Sequence, residues 1–95
     1  MIRNYEVMTI AEVSLGEAGA KELSTKIRDE ITALSGNVLE AKFWGKRKFA
    51  YEIKHSTEGF YDVLNFELDG DNLDKFKSTL NLMEGLVRYL VSSVS

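Results

Sequence analysis

Two helical stripes set among four strand-like runs constrain this chain more than any other feature. Ala20, Leu23, Ile27, Ile31 and Leu34 recur at three- and four-residue steps, and so do Leu73, Phe76, Leu80 and Met83. Each series puts its apolar side chains on one face of a helix. Lys21, Lys26, Arg28 and Glu30 fall off the first stripe. Around the helices, Tyr5 to Val13, Asn37 to Lys54, Phe60 to Leu68 and Leu86 to Val91 read as extended segments. In the first of these, apolar residues fall on both parities (Tyr5 and Val7, Met8 and Ile10), the pattern of a central strand with neither face well solvated.

Local signals set the expected boundaries. Ser14-Leu15-Gly16-Glu17 is a capping-box pattern that opens the first helix, and Gly36 fits the residue just past its end. Gly45 interrupts a long strand where a bulge is tolerated. His55 to Gly59 reads as a turn. Asp69-Gly70-Asp71-Asn72 caps the second helix, Glu84-Gly85 ends it, and Ser92 to Ser95 reads as a frayed tail. The order is β-α-β-β-α-β. Two crossovers and one hairpin then give an α+β, ferredoxin-like fold: a four-stranded antiparallel sheet with both helices on one face. Phe60, Leu64, Phe66 and Leu68 share the parity that should meet the helices. Tyr61, Val63 and Asn65 face the other way, onto a sheet face left bare unless a partner covers it.

At 95 residues the chain is expected to form one domain, residues 1–95. The absence of cysteine removes disulfides and thiolate metal sites and fits a reducing compartment. No apolar run approaches the roughly 20 residues of a membrane span. The opening Met1-Ile2-Arg3-Asn4-Tyr5-Glu6 has no signal-peptide core, so the cytoplasm is the expected location. The net charge is −3, which argues against indiscriminate coating of nucleic acid. One stretch runs against that balance. Between Lys42 and Lys54 there are five basic side chains and one acid. A positive stripe on an acidic chain is the footprint of an anionic partner, with nucleic acid the first candidate.

The stripe also carries a family pattern. Gly45-Lys46-Arg47-Lys48-Phe49-Ala50-Tyr51-Glu52-Ile53-Lys54 resembles the signature of the bacterial small-subunit ribosomal protein S6 family: glycine, a basic pair, an apolar residue, Ala-Tyr, any residue, isoleucine and a basic or polar residue. Arg3-Asn4-Tyr5-Glu6-Val7 resembles that family's opening, and Gly59-Phe60 its glycine-aromatic strand start. The likeness spans nearly the whole chain. It departs at Lys48, Phe49 and Glu52, where arginine, leucine and proline are commoner, at Asn4, and in the short C-terminus. The resemblance implies a structural protein of the small-subunit platform, without catalysis or cofactor. It further implies binding to the central domain of small-subunit ribosomal RNA, paired with ribosomal protein S18.

On this reading Lys46, Arg47 and Lys48 are phosphate contacts. They alternate along a strand, so at most two point the same way. The competing use is a charged edge that discourages strand pairing. Arg3 is a further expected RNA contact, and Lys42, Lys54 and His55 are additional candidates. Trp44 stands next to the basic triplet, to stack on a base or pack at the bend. Tyr51 reads as a packed residue. Tyr61 and Val63 are the expected partner-protein face. His55 has no companions for a metal site and no oriented acid for general-base work. Asp69, Asp71 and Asp74 lack the glycine placement and closing glutamate of a calcium loop.

Two other functions fit the same topology. A stand-alone RNA-recognition domain is echoed by Glu58-Gly59-Phe60-Tyr61-Asp62-Val63. However, Glu58 stands where a basic residue is needed and Asp62 where an aromatic is expected. An acylphosphatase-like enzyme needs an arginine and an anion-binding loop after the first strand, and Ala11-Glu12-Val13-Ser14-Leu15-Gly16 provides neither. Neither a membrane nor a small-molecule substrate is expected as a partner.

Overall fold

The computed structural model describes residues 1–53 and 56–94; for 49–53, 56 and 57 only the backbone is described. The elements run β1 (Ile2–Glu12), α1 (Gly16–Ala33), β2 (Asn37–Ile53), β3 (Ser56–Asp69), α2 (Leu73–Leu82) and β4 (Leu86–Val94), with single 3-10 turns at Val13–Leu15 and Gly70–Asn72. The strands form one sheet in the order β2-β3-β1-β4, every neighbouring pair antiparallel. This is the expected ferredoxin-like arrangement, with β1 and β3 central.

The core lies on one side of the sheet. Tyr5, Val7 and Ala11 of β1 and Phe60, Leu64, Phe66 and Leu68 of β3 bury against Ala20, Leu23, Ile27 and Ile31 of α1 and Phe76 and Leu80 of α2. Both helices therefore pack with the stripes read from their periodicity. Phe66 sits at the centre, its ring 5.7 Å from Tyr5 and 5.2 Å from Phe76, centroid to centroid.

Several boundaries differ from the sequence expectation. The capping box does not form. Val13–Leu15 makes a 3-10 turn first, and the Ser14 hydroxyl donates to Glu12 Oε2 at 3.5 Å, leaving no side-chain cap at the start of α1. At the other end of α1 the left-handed residue is Ser35 (φ 64°), not Gly36. Ser35 N–H donates to Thr32 O at 3.0 Å and Gly36 N–H to Ile31 O at 2.8 Å, the paired bonds of a Schellman ending. Gly36 is there for space: a Cβ on it would lie 2.7 Å from Glu67 O and 2.8 Å from Ile31 Cγ2. Asp69 caps the 3-10 turn that precedes α2, with Asp71 N–H donating to its carboxylate at 2.9 Å, and α2 itself has Asn72 at its N-cap without a side-chain cap.

The hairpin is longer than expected. Residues Ser56 to Gly59, read as turn, belong to β3, because Arg47 pairs with Gly59, Lys48 with Glu58 and Ile53 with Ser56. β4 likewise continues past Val91: Ser92, Ser93 and Val94 pair with Glu6, Tyr5 and Asn4 instead of fraying. The hydrogen-bonding edge of β1 extends that far and holds them.

Candidate nucleic-acid interface

The basic triplet sits where a two-stranded arm leaves the four-stranded body. β1 pairs with β3 only as far as Glu12 opposite Gly59; beyond that point β2 and β3 continue alone. Lys46 lies opposite Phe60, Arg47 opposite Gly59 and Lys48 opposite Glu58, so the triplet straddles the exit. Just before it the register shifts between Phe43 and Gly45, and Gly45 adopts φ 81°. A bulge of this kind bends its strand, here at the root of the arm.

Strand pairs share a face, so the register assigns each side chain. Lys46 and Lys48 lie on the helix side with Phe60 and Glu58, and Arg47 on the open side. All three are exposed. Lys46 Nζ is 3.6 Å from Glu58 Oε2, and Arg47 donates to the Lys46 carbonyl at 3.1 Å. Both contacts are solvent-facing and weak, which leaves the cations available to an incoming anion. Trp44, the extra residue of the bulge, is 49% exposed. Lys42 lies on the open face beside Val63, its ammonium 3.4 Å from Glu40. Arg3 is exposed but lies at the far end of the sheet, opposite Leu68. Eight positions of β3 separate Leu68 from Phe60, about 27 Å at the usual strand rise. The structure thus does not bring Arg3 together with the triplet. Lys54 and His55 lie outside the described residues, as does the side chain of Tyr51.

The open face has its own order. Row by row, the register sets Glu6, Asn65, Glu40 and Ser92 together, then Met8, Val63, Lys42 and Leu90, then Ile10, Tyr61, Gly45 and Arg88. Acidic groups mark one end, apolar side chains with Lys42 the middle, and Tyr61 and Arg88 the end nearest the arm. Among the described residues no helix covers this face, yet Ile10 is 4% and Val63 8% exposed. Their register neighbours Tyr61, Arg88, Met8 and Lys42 are long side chains, the kind whose apolar stems can cover a strand neighbour. Val63 is consequently the floor of this face rather than its contact surface. Leu90, 57% exposed, is an accessible apolar group in the middle of this face, and sequence reading missed it. The alternation of Arg88, Leu90 and Ser92 in β4 was the available signal.

On the helix side, below the arm, one group stands out. Asp62 is 4% exposed, opposite Phe43 on β2 and Thr9 on β1. Burial pushes its carboxyl above the ordinary carboxylate range, while the Ser24 hydroxyl, the Arg28 guanidinium and the Val63 backbone N–H pull it back. Its place between Phe60 and Leu64 on the core parity signalled this burial in the sequence. Among the described residues no group of three or more His, Cys, Asp or Glu side chains is placed to hold a metal ion.

Comparison with known proteins fits this geometry. The family model for ribosomal protein S6 matches residues 4–93. The chain belongs to that family. It is 41% identical to small ribosomal subunit protein bS6 of Symbiobacterium thermophilum over 95% of both chains. It is 37% identical to bS6 of Fusobacterium nucleatum over 95% of this chain and 96% of that one. The crystal structure of 30S ribosomal protein S6 from Thermotoga maritima superposes with a TM-score of 0.93 at 29% identity, covering 99% of this chain and 89% of the other. Membership makes this a ribosomal protein of the small subunit, a structural component and not an enzyme, at work in the bacterial cytoplasm.

Proposed function

We propose that the chain binds the central domain of small-subunit ribosomal RNA through the neck of the β2–β3 arm, and does so together with ribosomal protein S18. The observation that carries this reading is the triplet Lys46, Arg47 and Lys48: three exposed cations on two faces of one narrow projection, on a chain of net charge −3. Cations on both sides of a projecting hairpin suit phosphates that pass on either side of it. Trp44 and Lys42 extend the contact toward the body, and Arg3 is a separate, distant contact.

The protein partner belongs on the open face. The acidic row of Glu6 and Glu40 attracts a basic partner, and Leu90, Tyr61 and Met8 offer it apolar contact over Val63. This arrangement favours weak RNA binding by the chain alone and tighter binding of the pair. The stand-alone RNA-recognition reading needs stacked rings across the central strands, and Tyr61 is the one aromatic side chain on the open-face rows described above. Replacing Lys46, Arg47 and Lys48 with alanine tests the proposal. Affinity for a central-domain RNA fragment should fall, and the slope of log affinity against log salt should flatten by about 0.7–0.9 for each phosphate that is no longer neutralised. Unchanged affinity and slope would overturn it.

A further inference from the structure

Asp62 is a buried acid at a place where the fold has no evident use for one. Its neighbours in β3 on the same parity, Phe60 and Leu64, are core residues. An apolar side chain there would continue the core up to the arm. Instead α1 meets the sheet here through Lys21, Ser24, Thr25 and Arg28, which with Ala41, Phe43 and Asp62 line a cleft of about 230 Å³. Asp62 Oδ2 and Arg28 Nε are both buried without a hydrogen-bond partner among the described residues. Such a group weakens the fold, and local rules are broken in this way where function demands it.

The position suggests the use. Phe43, the residue opposite Asp62, is the last before the bulge that turns β2 into the arm. Its ring packs 6.2 Å from Phe60 on one side and receives the Lys21 ammonium at 5.5 Å. Apolar contact alone is non-directional. A charge held between a helix hydroxyl, a helix guanidinium and a strand amide is directional, and it joins α1 to β3 directly opposite Phe43, where β2 turns into the arm. We infer that Asp62, with Ser24 and Arg28, is a positioning residue that fixes the angle at which the basic arm leaves the body. It touches no RNA and acts through Lys46, Arg47 and Lys48. The inference rests on the proposed RNA contact of the arm.

The test is Asp62→Leu, with Asp62→Asn as the conservative variant. Two simpler roles predict the opposite result. If Asp62 acted only through stability, filling the site with leucine would leave RNA affinity unchanged. If it acted only as a nearby negative charge, its removal would tighten binding. Positioning predicts that Asp62→Leu keeps or raises the melting temperature and leaves the salt slope unchanged, yet weakens RNA binding three- to tenfold. Asp62→Asn, which can keep the Ser24 and Val63 hydrogen bonds, should recover most of that deficit. Equal or tighter binding by Asp62→Leu overturns the inference. Amide hydrogen exchange at Lys46, Arg47 and Lys48 gives a readout that needs no RNA: it should quicken in Asp62→Leu, and unchanged exchange counts against positioning even if the wild-type protein binds no RNA. Should the leucine variant not fold, Ser24→Ala takes its place: weaker RNA binding, an unchanged salt slope and quicker exchange at Lys46, Arg47 and Lys48 are expected, and unchanged binding and exchange overturn the inference.

Discussion

The two faces of the sheet are cut from the same strands and are put to opposite uses. On the helix side, Tyr5, Val7, Phe66 and Leu68 vanish beneath α1 and α2, and their contacts hold the fold together. On the open side, Ile10 and Val63 are nearly as buried, but among long side chains of neighbouring strands and not beneath either helix. The first face is closed by elements distant in sequence, the second by side chains that can rearrange. A covered face stores stability; a face roofed by long side chains stores recognition, because a partner can displace or join the roof. The basic arm lies beyond both, where β2 and β3 run without β1.

Changes on the covered face should do most to stability. Phe66→Ala removes the ring that contacts Tyr5 and Phe76 and should destabilise by about 3–5 kcal/mol in denaturant titration; an effect below about 1 kcal/mol would mean that the core does not close around it. The arm should behave in the opposite way. Alanine at Lys46, Arg47 and Lys48 should reduce RNA affinity tenfold or more in low salt and leave unfolding within about 0.5 kcal/mol of wild type, as surface substitutions do. Gly36→Ala tests the close approach of the α1 ending to β3. With Glu67 O and Ile31 in the way, it should destabilise by about 1–3 kcal/mol, without affecting RNA binding by the folded fraction.

Two smaller effects sharpen the contrast. Asp62 has a raised folded-state pKa, so whatever stability it contributes is fully present below its unfolded pKa and is lost as pH rises through the folded value. Lys21 and Arg28 from α1 are the charges that face it across the cleft. The stability advantage of Asp62→Asn over wild type should therefore grow as pH rises from the acid range toward neutrality, measured by melting temperature across that series. Exposed Asp69 works in the opposite sense. The Asp71 N–H holds its carboxyl below the usual range, and its contribution is lost only as pH falls through that lowered value. Finally, Leu90→Ser on the open face should change stability by no more than about 0.5 kcal/mol. In a pull-down with S18 it should nonetheless weaken capture, whereas full capture would move the partner off this face.

What the sequence made legible follows from how local each signal is. Helix stripes and strand parity are local periodicities, and they located both helices, the core side of β3 and the bend at Gly45. Boundaries that depend on distant strands were not legible. Ser92 to Val94 look like a tail until β1 is there to pair with them, and Ser56 to Gly59 look like a turn until β2 extends opposite. Ser35 took the left-handed position because Gly36 was needed for its lack of a Cβ against Glu67. For the site, the basic triplet was readable from charge alone. Its separation from Arg3, the burial of Val63 and the exposure of Leu90 each depend on register, which no single segment encodes.

The central claim is that the arm and the open face work together, one on RNA and the other on a protein partner. The most direct measurement is a titration of the purified chain against a central-domain fragment of small-subunit ribosomal RNA, with and without S18, at two salt concentrations. The account predicts weak, salt-sensitive binding alone and markedly tighter binding with S18. Equal affinity with and without S18, or equal weak binding to any single-stranded RNA, would contradict it.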